Sequence, residues 1–157
     1  MIEKVNPMHP DFVMIIVVAT EEEYKIAKKR FIHNKIIKTG VGAINVINKL
    51  KNLNKKTRLF NFGYAGSNTI SIGEEVTISN VELYHPNVEY KETTYRLSDN
   101  GTKCYTSCDF VTETDIAEPC VFDMELAFIL ALGFKSVKSI KIISDNLSLK
   151  QYEENIT

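Results

Sequence analysis

The sequence predicts an α/β fold built on a mixed, largely parallel sheet. The run at residues 12–19 is continuously apolar rather than alternating, as in a strand buried on both faces, and residues 59–62 and 137–144 read as further strands. Helical patterns stand between the early strands and before the last one, the order expected of parallel strands joined by crossovers. The middle of the chain differs. Residues 75–84 alternate apolar and polar side chains, with Val76, Ile78 and Val81 in phase, and residues 87–97 are rich in Tyr and Thr. This part implies antiparallel strands.

In chain order, the run 12–19 is the first strand. Thr20 caps the following helix, with Glu23 in the capping-box position three residues on, and the helix runs to about Phe31. Residues 35–39 read as a short strand. Gly40-Val41-Gly42 then turns into a helix from Ala43 to about Leu53, with Val46, Ile47 and Leu50 on its apolar face. The strand at 59–62 is broken by Gly63-Tyr64-Ala65-Gly66-Ser67. Asp99-Asn100-Gly101 is a hairpin-type turn. Residues 122–132 read as a helix closed by Gly133, and 137–144 as a last strand. The polar tail from Leu147 holds at most a short helix.

The 157 residues fit one domain, 1–157, with one substantial core. Nineteen basic and 20 acidic residues leave a net charge of −1, which excludes the basic footprint of a nucleic-acid or anionic-membrane binder. No apolar run approaches the roughly 20 residues of a membrane span. The start of the chain lacks the charged-then-apolar layout of a signal peptide, so a cytoplasmic location is expected. Cys104, Cys108 and Cys120, an odd number, read as free thiols. Cys104 and Cys108 are spaced to share a metal, but no second ligand pair follows, and neither metal nor cofactor is expected.

In open α/β sheets, ligands collect where strand ends meet helix starts. Four features fall at such points: Thr20-Glu21-Glu22-Glu23, Gly40-Val41-Gly42, Gly63-Tyr64-Ala65-Gly66 and Ser144-Asp145. A fifth is Asp123-Met124-Glu125, where a carboxylate sits in an apolar run. Burying a charge costs several kcal/mol unless it is paired or used. Each carboxylate also has a plain structural reading. Glu23 suits a capping box, Asp145 suits a Ser-Asp-Asn turn, and Glu125 suits burial beside a Lys or Arg. Tyr84 and His85 read as packing and surface residues.

As a set, these segments resemble the purine nucleoside phosphorylase and nucleosidase superfamily, nearest to its methylthioadenosine/S-adenosylhomocysteine nucleosidases. Ala19-Thr20-Glu21-Glu22-Glu23 is similar to that branch's Ala-Met-Glu-Glu-Glu, and Thr39-Gly40-Val41-Gly42 to its Ser-Gly-Ile-Gly. Asn61-Phe62-Gly63-Tyr64-Ala65-Gly66 resembles its Asn-Thr-Gly-Ser-Ala-Gly. Ile72-Gly73-Glu74-Glu75-Val76 with Tyr84-His85 resembles its Val-Gly-Asp-Ile-Val and Tyr-His. Asp123-Met124-Glu125 and Ile143-Ser144-Asp145 match its Glu-Met-Glu and Ile-Ser-Asp, and the order is kept throughout.

The resemblance implies a three-layer α/β/α, phosphorylase/hydrolase-like fold and cleavage of the N-glycosidic bond of an adenine nucleoside. Asp145 would protonate the departing purine, Glu23 would position and deprotonate the attacking water, and Glu125 would bind ribose hydroxyls. Met124 would pack on the ribose and Phe110 or Val111 on the purine, with Gly63, Ala65, Gly66 and Ser144 completing the substrate site. Phosphorylases of the superfamily carry an Arg where this chain has Asn61, which favours water as nucleophile; the arginines here are Arg30, Arg58 and Arg96. The chain is shorter than the family's usual length, between Glu23 and Gly40, from Tyr84 to Cys108 and after Asp145. Tyr64 replaces a small residue. Three activities stay open: hydrolysis, phosphorolysis, and nucleoside binding or assembly without turnover. The expected partners are a purine nucleoside and, from the family's habit, further copies of the chain as a homo-oligomer.

Overall fold

The computed structural model describes residues 14–84 and 94–156. Phe12, Val13, His85 and most of the expected strand at 87–97 lie outside the described residues. The chain begins with β1 (Met14–Val18), α1 (Glu21–Arg30), β2 (Ile36–Lys38) and α2 (Ala43–Leu50). It continues with β3 (Arg58–Ser67), β4 (Glu75–Leu83), β5 (Tyr95–Arg96), β6 (Thr102–Thr106) and β7 (Cys120–Asp123). It ends with α3 (Leu126–Ala131), β8 (Ser136–Asp145) and α4 (Leu149–Asn155). The capping box forms as read: Glu23 N–H donates to Thr20 Oγ1 at 3.2 Å, and Glu23 Oε1 accepts from Thr20 N–H at 3.1 Å. Gly133, at φ +89°, follows α3 where the sequence placed its stop.

The sheet is mixed. β1 pairs in parallel with β2 and β3, β3 with β8, β4 with β6, and β6 with β7. The antiparallel pairs are β3 with β7, and β4 with both β5 and β8. Following the pairs from β3 through β8, β4, β6 and β7 leads back to β3. β1 is covered on both faces. Ile15 and Val17 pack in the cluster that holds Val46 and Leu50 of α2 and Leu126 and Ile129 of α3. Ile16 and Val18 pack with Ala27 of α1, Phe31 and Phe62. This two-sided burial is why its sequence is apolar without alternation.

Four sequence readings are corrected. The Gly63–Ser67 stretch does not break its strand, because β3 runs through it to Ser67, paired with β8 and β7. The glycines are there for close approach. A Cβ on Gly63 would stand 2.7 Å from Glu23 Oε2, and one on Gly66 2.7 Å from Asp145 Oδ2. The helix expected from Phe122 begins only at Leu126, and residues Cys120–Asp123 are the strand β7 instead. An apolar run of that length fits either period, and pairing with β6 and β3 decides for the strand. Asp99-Asn100-Gly101 is a bend, but β5 and β6 on its two sides both pair with β4 rather than with each other. Ile47 does not share the buried face of α2: Val46 and Leu50 are fully buried, while Ile44 and Ile47 are 75% and 41% exposed.

Gly63→Ala and Gly66→Ala are each expected to destabilise the protein by about 1–3 kcal/mol, the usual cost of overpacking. A lower urea midpoint at unchanged m-value would record it; wild-type stability in both would mean that the facing carboxylates can step aside.

Candidate active site

Asp145 ends β8 and is 1% exposed. The β3–β8 register shifts between Ala65 and Gly66, so that Gly66 pairs with Asp145 and Ser144 is the extra residue. This bulge sets the Asp145 carboxylate over the bare Cα of Gly66. Ser144 Oγ donates to Asp145 Oδ1 at 2.6 Å and Leu147 N–H donates to Oδ2 at 3.0 Å. Burial pushes the Asp145 pKa up, and these donors only partly offset it. Leu147 makes its turn in the left-handed region, at φ 63°.

Glu23 sits in the first turn of α1 and is buried. Its Oε1 accepts from the Ala19 and Thr20 amides at 2.7 and 3.1 Å, and Oε2 accepts from the Tyr64 amide at 2.8 Å. The capping-box reading of this residue is thus correct, and the same carboxylate reaches across to β3. Burial raises its pKa even against the nearby Lys141 ammonium and those three amides. Glu125 stands at the start of α3, also buried, and its Oε2 accepts from Gly42 N–H at 3.0 Å. Its pKa rises to about 8, through burial first and the neighbouring Asp123 charge second.

Two residues beneath these went unassigned in the sequence reading. Asp123 and Lys141 are both almost fully buried and form an ion pair, Nζ to Oδ2 3.1 Å. Asp123 also accepts from Thr106 Oγ1 at 2.5 Å, Cys104 Sγ at 3.3 Å and the Leu126 amide at 2.8 Å. It thereby supplies the N-terminal cap that Glu125 does not give α3. Burial alone would raise the Asp123 pKa, but Lys141 and the hydroxyl and amide donors hold it below the usual range. Burial likewise opposes the Lys141 charge, and the Asp123, Glu125 and Glu23 carboxylates more than reverse this. A signal was present: Lys141 stands among Ile140, Ile142 and Ile143, in phase with Val137, Ser139 and Ile143.

Gly66, Phe110, Val111, Met124 and Asp145 line one pocket together with Asp109, Phe122, Asp123 and Leu147. Five residues proposed for the site from four separate segments therefore meet. Gly63 and Ala65 do not line this pocket: Gly63 backs Glu23, and Ala65 is in the core. Ser144 acts through its bond to Asp145. The cavity is only about 30 Å³, room for about one water. Tyr152 of α4 packs edge-on against Phe110, one of the pocket's walls, with ring centroids 5.6 Å apart. Burial and then the Glu23 and Glu125 charges push the Tyr152 hydroxyl up to about 12. The polar tail gave no sequence signal for it. The arginines lie elsewhere. Arg30 holds Glu75, Arg96 pairs with Asp99, and Arg58 begins β3 at the end away from Gly66. Asn61 is tied internally, accepting from Ser139 Oγ at 2.8 Å.

The fold is that of the nucleoside phosphorylases and nucleosidases. The 5′-methylthioadenosine/S-adenosylhomocysteine nucleosidase of Helicobacter pylori superposes with a TM-score of 0.75 at 14% identity, over 92% of this chain and 90% of that one. The futalosine hydrolase of the same organism gives 0.76 at 13%, with the same two coverages. The nucleosidase of Streptococcus pneumoniae, solved in complex with 8-aminoadenine, gives 0.72 at 16%, over 92% of both chains. No protein-family model and no curated protein matches the sequence itself.

The raised carboxylate pKa values set a stability gradient. Between the ordinary glutamate value of 4.5 and about 8, folded Glu125 holds a proton that the unfolded chain has released. Stability therefore falls as pH rises across that window, and buried Glu23 adds in the same direction. Urea midpoints are expected to be higher near pH 5.5 than near pH 8.5, with a flatter dependence in Glu125→Gln. An equal slope in that variant would contradict the assignment.

Proposed function

We propose that residues 1–157 form one nucleosidase domain that hydrolyses the N-glycosidic bond of an adenine nucleoside of the methylthioadenosine or S-adenosylhomocysteine type. The observation that carries this reading is Asp145: a fully buried carboxyl at a strand end, sharing one pocket with Phe110, Val111 and Met124. Cleavage leaves positive charge on the sugar and negative charge on the base. A carboxyl whose pKa burial has raised is suited to hand a proton to purine N7 as the bond breaks. Ser144 orients it. Phe110 and Val111 give the base its apolar walls, Met124 packs on the ribose, and Glu125 bonds ribose hydroxyls. Gly66 provides the clearance for Asp145, and Gly63 the clearance for Glu23.

Glu23 is the base toward water. Its three amide bonds fix it, and Oε2, with one amide on it, keeps a lone pair for a water. Water rather than phosphate is supported by the arginines, which stand away from the pocket, and by Asn61, whose side chain is engaged within the sheet. Nucleoside pockets are ten or more times larger than the present cavity of about 30 Å³. Binding requires the pocket to widen.

We also infer a homo-oligomer. Val41, Ile44 and Ile47 expose apolar surface along α2, next to Gly42, whose amide holds Glu125. The free thiols of Cys104, Cys108 and Cys120 fit a cytoplasmic protein. Among the described residues no helix is long and apolar enough to cross a membrane.

Release of free base from methylthioadenosine, S-adenosylhomocysteine and futalosine, with and without phosphate, tests the activity. Adenine release independent of phosphate, reduced about 10²–10⁴-fold in Asp145→Asn, is the expected result. Dependence on phosphate would make the protein a phosphorylase, and binding without release a nucleoside-binding protein. Light scattering at micromolar concentration is expected to give a multiple of 17.9 kDa, reduced toward the monomer mass by Ile44→Glu; a wild-type monomer would end that inference.

A further inference from the structure

The site holds more buried acid than base. Among the described residues, Glu23 from α1, Asp123 from β7 and Glu125 at the start of α3 act on one buried ammonium, Lys141 of β8, and Glu23 and Glu125 act on the Tyr152 ring of α4 as well. Three ionised carboxylates cannot be compensated by one cation in a buried cluster, so one of them takes up a proton. Hydrogen bonding selects which. Glu23 accepts three amide N–H groups. Asp123 holds Lys141 at 3.1 Å and accepts from Thr106, Cys104 and the Leu126 amide as well. Among the described residues, Glu125 has a single donor on it, the Gly42 amide at 3.0 Å, on Oε2.

We propose that the buried Asp123–Lys141 ion pair is a positioning device that keeps Glu125 as a protonated carboxylic acid, so that it donates a hydrogen bond to a ribose hydroxyl as well as accepting one. Lys141 is committed to Asp123, and its pull on the Glu125 proton is outweighed by burial and by the Asp123 charge. Asp123 meanwhile fixes the turn that carries Glu125 by accepting from the Leu126 amide. Oε2, bonded to Gly42, serves as the carbonyl oxygen, and Oε1 carries the proton. The direction of the Glu125 shift, up to about 8, agrees with this count of donors. Neighbouring ribose hydroxyls are each both donor and acceptor, so a neutral acid matches such a diol without bringing a second buried charge to it. The part of this inference that concerns ribose rests on the nucleosidase reading; the protonation of Glu125 does not.

Carboxyl-¹³C glutamate labelling separates the two. In the ligand-free protein the Glu125 resonance, identified by its loss in Glu125→Gln, is expected to inflect near pH 8. In Asp123→Asn, Lys141 is left with Glu125 as a free carboxylate partner, and the inflection is expected to move down by about 1–3 pH units. A purely structural role for the pair would leave it in place. Titration of wild-type Glu125 in the ordinary carboxylate range would overturn the proposal whether or not the variant folds, and so would an unmoved inflection in a folded variant. With adenosine as the probe, affinity is expected to fall about tenfold per pH unit above 8, while 2′-deoxyadenosine shows a weaker dependence. A pH-independent adenosine affinity would remove the hydroxyl-donor role. If neither nucleoside binds at any pH, the nucleosidase reading fails while the titration still decides the state of Glu125.

Discussion

The ion pair between Asp123 and Lys141 is the constraint around which the site is organised. Both groups are almost wholly withdrawn from water, 3.1 Å apart. Each is tolerable only because of the other and of the hydroxyl, thiol and amide donors on Asp123. Through this pair β7 is fastened to β8, β6 contributes Thr106 and Cys104, and α3 receives its cap. Losing one partner strands a charge in the interior, a cost of about 3–5 kcal/mol in comparable cases, far more than a surface pair is worth. The exposed pairs Arg30–Glu75 and Lys38–Glu21 carry no such obligation.

The second organising device is the absence of side chains. Among the described residues β3 is the one strand that reaches β1, β7 and β8, and along its C-terminal half it meets two carboxylates end-on. Glycine at positions 63 and 66 lets Glu23 and Asp145 lie against the backbone itself. The Tyr64 amide then becomes a donor to Glu23, and the bulge at Ser144 turns Asp145 toward Gly66. A strand interrupted by small residues is normally weakened, but here β8 pairs with β3 through both glycines and β7 joins at Gly66.

Much of this was legible in the sequence where the cause was local. The Thr20–Glu23 cap, the two-sided burial of β1 and the stop at Gly133 follow from spacing over a few residues, and all three hold. The candidate residues Phe110, Val111, Met124, Gly66 and Asp145 converge because strand ends and helix starts meet on one side of the sheet. What was not legible depends on partners distant in sequence. Gly63 and Gly66 read as a turn because their reason, two carboxylates from α1 and β8, is invisible locally. Phe122 and Asp123 suit a helix until β6 lies beside them. Lys141 breaks an apolar strand, which is a visible anomaly, but only the fold shows that Asp123 answers it. Tyr152 sits in a polar tail with no periodicity, so its place against Phe110 comes from the turn at Leu147 and the bonds that hold α4.

That turn has a thermodynamic side. α4 contributes no buried residue to the core, and it is held at its start by the Ser148 cap, by Gln151 on the Asn146 amide, and by Asn155 on the Ser144 carbonyl. Such an element opens at a small fraction of the global unfolding free energy. If a ligand enters the candidate site by parting Phe110 from Tyr152, the local stability of α4 enters its affinity, because the apparent Kd is then the intrinsic one divided by the open fraction. A change within these seven residues would in that case tune occupancy while leaving Asp145, Glu125 and Glu23 as they are.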